Sequence, residues 1–219
     1  MHFADLGATK AIRLKAPQPS EVPGLRSART GVGALFTTSP LPALQPSRAG
    51  MIAFWDDDAA LDRFLSDHPT ADALAGGWRV RLEPLRAHGT WPGLDVDVPK
   101  SRNTEHSGLS AVMTLGRTKW TRIPVFLRTS AKAEAAAVDA PGKVWATALA
   151  KPPFFATCSL WESTDALMQY AYGGRGSAHD DAIGVDRAKP FHHESAFIRF
   201  RPYDFQGALT GKNPVQNTN

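Results

Sequence analysis

Apolar positions recur along this chain with two periods, two and about 3.6, and they do so in the same order twice. In the first half, Gly31 to Thr38 and Gly50 to Trp55 read as buried strands. Asp56, Asp57 and Asp58 then put acids into the first turn of a helix with Ala60, Leu61, Phe64 and Leu65 at helical spacing. Trp78 to Leu85 alternates cleanly and predicts a half-buried strand. Ala8 to Lys15 fits a short strand or a short helix, broken by Pro17, Pro19 and Pro23-Gly24. Ser39 to Ser47 carries three prolines and predicts a loop.

Residues 92–118 show no periodicity and predict a crossover loop. Beyond them, Thr121 to Leu127 predicts a strand with an edge-type proline, and Ala131 to Val138 a helix ending before Pro141-Gly142. Lys143 to Leu149 and Phe154 to Trp161 predict strands, and Thr164 to Tyr172 a helix. Ser177 to Lys189 predicts a further helix stopped by Pro190, and Ser195 to Tyr203 a closing strand.

The halves resemble each other in detail. Gly50-Met-Ile-Ala-Phe-Trp55 followed by acids and Leu61 parallels Ala156-Thr-Cys-Ser-Leu-Trp161 followed by Glu162 and Leu167. Gly24 and Gly142, like Gly89 and Gly207, lie 118 residues apart, whereas Trp55 and Trp161 lie 106 apart. The second half therefore holds 12 extra residues after its tryptophan, in the stretch that contains His179. A shared scaffold with an addition to one copy suggests a site grafted onto that copy.

The expected fold is α+β, two tandem ferredoxin-like units forming a dimeric α/β-barrel-like structure. The expected divisions are a first unit at 1–95, a linker at 96–118, a second unit at 119–210 and a disordered tail at 211–219. Trp145 and Phe154 fall on strands expected to line the side of the sheet away from the helices.

Composition narrows the function. With 42% apolar residues in 219, a packed core is feasible, and no run is long and apolar enough to span a bilayer. The start lacks the pattern of a signal peptide, and the single Cys158 excludes an internal disulfide, so a cytoplasmic location is expected. The net charge of +4 comes from scattered basic residues, which argues against nucleic acid and fits an anionic ligand equally well. Phosphate-loop and nucleophile-elbow motifs are absent. His192-His193 beside Glu194 sits on a strand, where neighbours face opposite ways and do not share one ion.

The chemistry concentrates at Tyr170-Ala-Tyr-Gly-Gly-Arg-Gly-Ser-Ala-His179-Asp-Asp-Ala-Ile183. Ser177 is a good helix cap with Asp180 three residues on, which puts His179 in the first turn. The positive end of the helix dipole disfavours imidazolium there, so the ring stays neutral with a lone pair to donate. His106, in Thr104-Glu105-His106-Ser107, is a candidate for moving protons from the crossover loop.

The segment Ala156-Thr-Cys-Ser-Leu-Trp161, Ala171-Tyr-Gly-Gly, His179-x-x-Ala182-Ile183, Arg187, Phe191, Glu194, Phe197, Arg199-Phe200 resembles the spheroidene monooxygenase family. Arg29-Thr30-Gly31-Val32 and Arg81-Leu-Glu-Pro-Leu-Arg86 fit the same pattern. The resemblance implies haem b, with His179 as the iron ligand, Ile183 beside it, and Arg187 or Arg199 toward a propionate. Trp145 and Phe154 would then wall the pocket, and His106 would serve catalysis. It implies oxidation of a hydrophobic or small metabolite by O2 with an external electron donor, and leaves room for self-association. Two alternatives stand beside it: a haem lyase or dehydratase acting on a nitrogen–oxygen bond, and a non-catalytic haem-binding module. His192, Gly184 and Asp186 depart from the family pattern, so the substrate need not be shared.

Overall fold

Eight antiparallel strands close into one barrel in the order β1-β3-β2-β6-β7-β5-β8-β4. The computed structural model describes residues 1–37, 39, 43–101, 105–172, 190–211 and 213–215. The first half runs β1 (His2–Asp5), α1 (Ala8–Arg13), β2 (Leu25–Leu35), β3 (Ala43–Trp55), α2 (Asp58–Asp67), α3 (Pro69–Leu74) and β4 (Trp78–Gly89). The second runs β5 (Ser110–Thr118), α4 (Ile123–Val138), β6 (Lys143–Lys151), β7 (Phe154–Trp161), α5 (Thr164–Tyr172) and β8 (His192–Gly207). Each half has the expected ferredoxin-like order, and the two close on each other within a single chain. The seams are β2 with β6, where Gly33 faces Leu149, and β4 with β8, where Trp78 faces Gly207 and Gly89 faces Ala196.

The duplication is visible in atoms. Gly24 O accepts from Asp56 N at 2.9 Å, and Gly142 O accepts from Glu162 N at 2.8 Å, so each tryptophan strand ends against the same turn. Asp57 caps α2 by accepting from Ala60 N at 2.7 Å, as Ser163 accepts from Ala166 N at 3.0 Å in α5. Gly89 and Gly207 close the β4–β8 seam from opposite ends at φ 87° and 78°. A Cβ on Gly89 would overlap the Ser195 carbonyl, and one on Gly207 the Gly77 carbonyl. Gly207→Ala should therefore cost about 3 kcal/mol, from left-handed strain plus displacement of the partner strand. The denaturation midpoint reports this, and an unchanged midpoint would refute it.

The barrel interior is a packed aromatic and aliphatic core. Trp145 lies 5.0 Å from Trp78 and 5.4 Å from Phe3, and Phe154 lies 5.8 Å from Trp91, between ring centroids. Met113, Leu115, Cys158, Leu160 and Ile198 fill the rest. Burial pushes the Cys158 thiol up to about 12, so it is an inert filler.

Several expectations are corrected. Residues 110–118 are not part of a linker: they form β5, a central strand between β7 and β8. Ala111, Met113 and Leu115 point into the barrel, while Thr114 and Gly116 on the other face blur the alternation. Thr121 to Leu127 is not a strand. Trp120–Arg122 is a single helical turn leading into α4, and Pro124 stands in the first turn, where no amide donor is needed. Ala43 to Ser47 belongs to β3 rather than a loop. Of the two readings of Ala8 to Lys15 the helical one holds, over Ala8–Arg13. In the expected tail, Val215 packs against the barrel core. The expected helix at 177–189 lies outside the described residues. No helix among the described residues is long and apolar enough to cross a membrane.

Candidate functional site

The inner face of each half-sheet belongs to the barrel, and its outer face must be covered by that half's helices. In the first half the cover is tight: His2, Ala28, Thr30, Ala49 and Met51 are all buried, under a second core that includes Ala11, Phe64 and Leu74. The register identifies their counterparts. Phe3 faces Gly50 and Trp78, as Leu115 faces Ala156 and Ala196, so β1 matches β5 residue by residue. The counterparts Thr114, Ala146, Ala148, Phe155 and Thr157 are all only half-buried.

Two aromatic contacts hold the second layer at its ends. Phe126 of α4 meets Phe155 of β7 at 5.2 Å, and Trp161 of β7 stacks on Tyr170 of α5 at 4.7 Å. The Tyr170 hydroxyl donates to Ala133 O at 3.0 Å and ties α5 to α4. Between these ends the sheet presents small side chains, Thr114, Thr157, Ser159 and Ala146, where the first half has His2, Met51, Ala53 and Ala28. The outer layer is therefore less tightly covered in the second half than in the first.

Arg199 rises from β8 into this layer. It is only 5% exposed and donates, among its contacts, to Met168 Sδ at 2.8 Å. Burial, with the Arg86 guanidinium nearby, pulls its pKa below the usual arginine value. Its counterpart Arg81 is held by Asp58 at 2.9 Å, by Asp204 at 3.1 Å and by Asp62. The positions matching those three acids around Arg199 are Thr164 and Met168 of the second half and Arg86 of β4 across the seam. At the three positions where the first copy has acids, a hydroxyl, a second guanidinium and a thioether stand instead.

Glu134 lies on α4 near Tyr170, and burial pushes its carboxyl up to about 7. Tyr170 is raised in turn, by burial and by the Glu134 charge. The folded chain resists ionising Glu134, whereas the unfolded chain ionises it near 4.5. Stability from this group is therefore full below about pH 4.5 and is lost as pH rises toward 7. Glu134→Gln should raise stability by roughly 1–2 kcal/mol at pH 8, after allowance for solvent screening, and leave it unchanged at pH 4. Denaturation at the two pH values checks the sign.

The structure separates the candidates drawn from the sequence. His179, Ile183 and Arg187 lie outside the described residues. Arg199 is in the second outer layer, beside Met168 of α5. Trp145 and Phe154 pack with the barrel core, on the opposite side of the sheet from Arg199, and Phe154 also reaches the lining of a cleft at the β2–β6 seam. Trp145→Ala should accordingly cost about 3 kcal/mol by emptying core volume, read from the denaturation midpoint. It should leave ligand binding in the outer layer intact. His106 is engaged in the loop before β5. Its Nε2 lies 2.8 Å from Leu109 O, and its own carbonyl accepts from Thr164 Oγ1 at 2.6 Å, anchoring the start of α5. His192 packs over Gly116 and 5.1 Å from Phe126, while His193 is exposed. Among the described residues, no group of three His, Cys, Asp or Glu is placed to hold a metal ion. Glu134, Thr157 and Met168 escape a reading of the sequence as one string. Laying the two copies over each other marks two of them, since Met51 and Asp62 become Thr157 and Met168.

Fold and layer together define the class: a single-chain barrel of two ferredoxin-like units with an open layer in the second. The chain is 29% identical over 177 residues to spheroidene monooxygenase of Rubrivivax gelatinosus, covering 77% of this chain and 66% of that protein. It is 24% identical over 205 residues to spheroidene monooxygenase of Rhodobacter capsulatus, covering 85% and 78%. In sequence the chain is similar to the spheroidene monooxygenases. No family model matches it. Among solved structures it is similar to a protein from Fusobacterium nucleatum assigned as a monooxygenase, at TM-score 0.42 and 9% identity over 94% of this chain and 88% of that one. An anthrone oxidase-like protein follows at TM-score 0.37 and 14% identity, over 92% and 84%. Scores this low carry no argument about activity.

Proposed function

We propose that this chain is a haem-dependent monooxygenase that oxidises a hydrophobic or small metabolite with O2, using an external electron donor. The observation that supports this most is the second outer layer. Five sheet positions that are buried in the first copy have half-buried counterparts in the second, beneath the copy that carries His179. The names of the two relatives support an oxidoreductase of monooxygenase type.

The described residues fit a flat, apolar, doubly anionic group. Thr114 and Thr157 are smaller than their counterparts His2 and Met51, and Phe155 and Phe197 give the half-buried face apolar surface. Arg199 puts a buried positive charge in the same layer, suited to a propionate, with Arg187 as the second candidate. His179 would hold the iron through a neutral imidazole. Bound there, haem b would supply a redox-active iron able to use O2. Glu134, protonated near neutrality, stores a proton on the α4 side of the layer, and the Phe126–Phe155 contact keeps water out of one end.

Turnover under isotopically labelled O2 with a chemical reductant and a polyene substrate tests the proposal. Label in the product, with O2 consumed in step, is the expected result. Turnover of a nitrogen–oxygen substrate without O2 uptake would replace it with a lyase. Haem bound without turnover of either kind would leave a carrier.

A further inference from the structure

A cleft of about 660 Å³ opens on the other half of the molecule, at the β2–β6 seam, and three cations line it: Lys15, Arg29 and Lys151. Several arginines elsewhere pair with acids, as in Arg26 with Asp56 at 3.3 Å, Arg48 with Asp5 at 2.9 Å and Arg117 with Glu194 at 2.9 Å. In the cleft the cations are positioned differently. Arg29 donates to Ala28 O at 2.8 Å and lies 5.9 Å from the Trp91 ring centroid. Lys151 Nζ donates to Leu14 O at 2.9 Å and lies 3.3 Å from Thr30 Oγ1. Carbonyls, a hydroxyl and a ring face fix these groups without cancelling their charge.

The backbone brings them together. Gly31 lets β6 approach so closely that a Cβ there would sit 3.1 Å from Ala150 N, and this places Lys151 beside Thr30. Arg29 and Thr30 belong to the Arg29-Thr30-Gly31-Val32 motif, which the haem reading leaves without a role. One acid, Glu21, is on the lining, and Phe154 gives the cleft an apolar contact.

We infer that this cleft binds a small organic oxyanion, a phosphate- or carboxylate-bearing molecule up to the size of a mononucleotide. The charged end lies among Lys15, Arg29 and Lys151, and the organic part extends over Phe154. Binding here does not depend on haem, because the cleft lies against the first half's helices and the second outer layer against the second's.

Calorimetric titration of the full chain at low ionic strength, with pyrophosphate in one arm and citrate in the other, decides the matter. One-to-one binding of either is expected, weakened at least tenfold in Lys15→Gln/Lys151→Gln and reduced by added salt. Pyrophosphate alone assigns a phosphate ligand, and citrate alone a carboxylate. Lys15→Gln, at an exposed position, serves as a second variant that leaves the packing untouched and should itself weaken binding. No heat in either arm, or equal affinity in both variants, overturns the inference.

Discussion

Thr157→Trp should leave the barrel folded, leave its melting temperature unchanged or a few degrees higher, and reduce haem occupancy at least tenfold. Thr157 is half-buried, and its counterpart in the first copy is a buried methionine, Met51, so the backbone at this place already accommodates a large side chain. In a hollow, the added ring buries apolar surface worth about 2 kcal/mol at most. In a filled layer the same change would cost about 1–3 kcal/mol through overpacking, and the melting temperature would fall by several degrees. The sign of that shift distinguishes the two whether or not haem is present. The occupancy tests what the space is for. A variant that keeps full haem occupancy would place the cofactor elsewhere, and one that melts early would mean the layer is already packed.

The duplication was legible because it rests on residues the fold constrains twice. Trp55 and Trp161 end matching strands, Gly24 and Gly142 receive matching amide bonds, and Gly89 and Gly207 answer each other across one seam. Those constraints survive divergence because each removes a clash or fills a fixed volume. β5 was hidden by chemistry rather than by length. Its inward Ala111, Met113 and Leu115 alternate properly, but its outward Thr114 is polar and Gly116 has no side chain, so that face supplies no apolar signal. The start of α4 was hidden by Ile123, Val125 and Phe126, which favour strands, and by a proline whose place in a first turn is recognisable only once the helix is known.

The site was legible in part. Of the candidate residues, Arg199 lies in the second outer layer, while Trp145 and Phe154 lie on the face away from the helices, as the strand pattern predicted, and pack in the barrel core. Local patterning says which strand residues share a face but not how tightly that face is covered. That becomes visible only when each position is set against its counterpart in the other copy. The contrast between Met51 and Thr157, or between Asp62 and Met168, is a difference between two halves of one molecule and has no signature in either half alone.

The electronic absorption spectrum of the purified chain beside that of His179→Ala tests the central claim most directly. The wild type should show a Soret band, and the variant should lose it while its circular dichroism is unchanged. A wild type without the band after haem is supplied, or a variant that keeps it intact, would contradict His179 as the iron ligand and the function built on it.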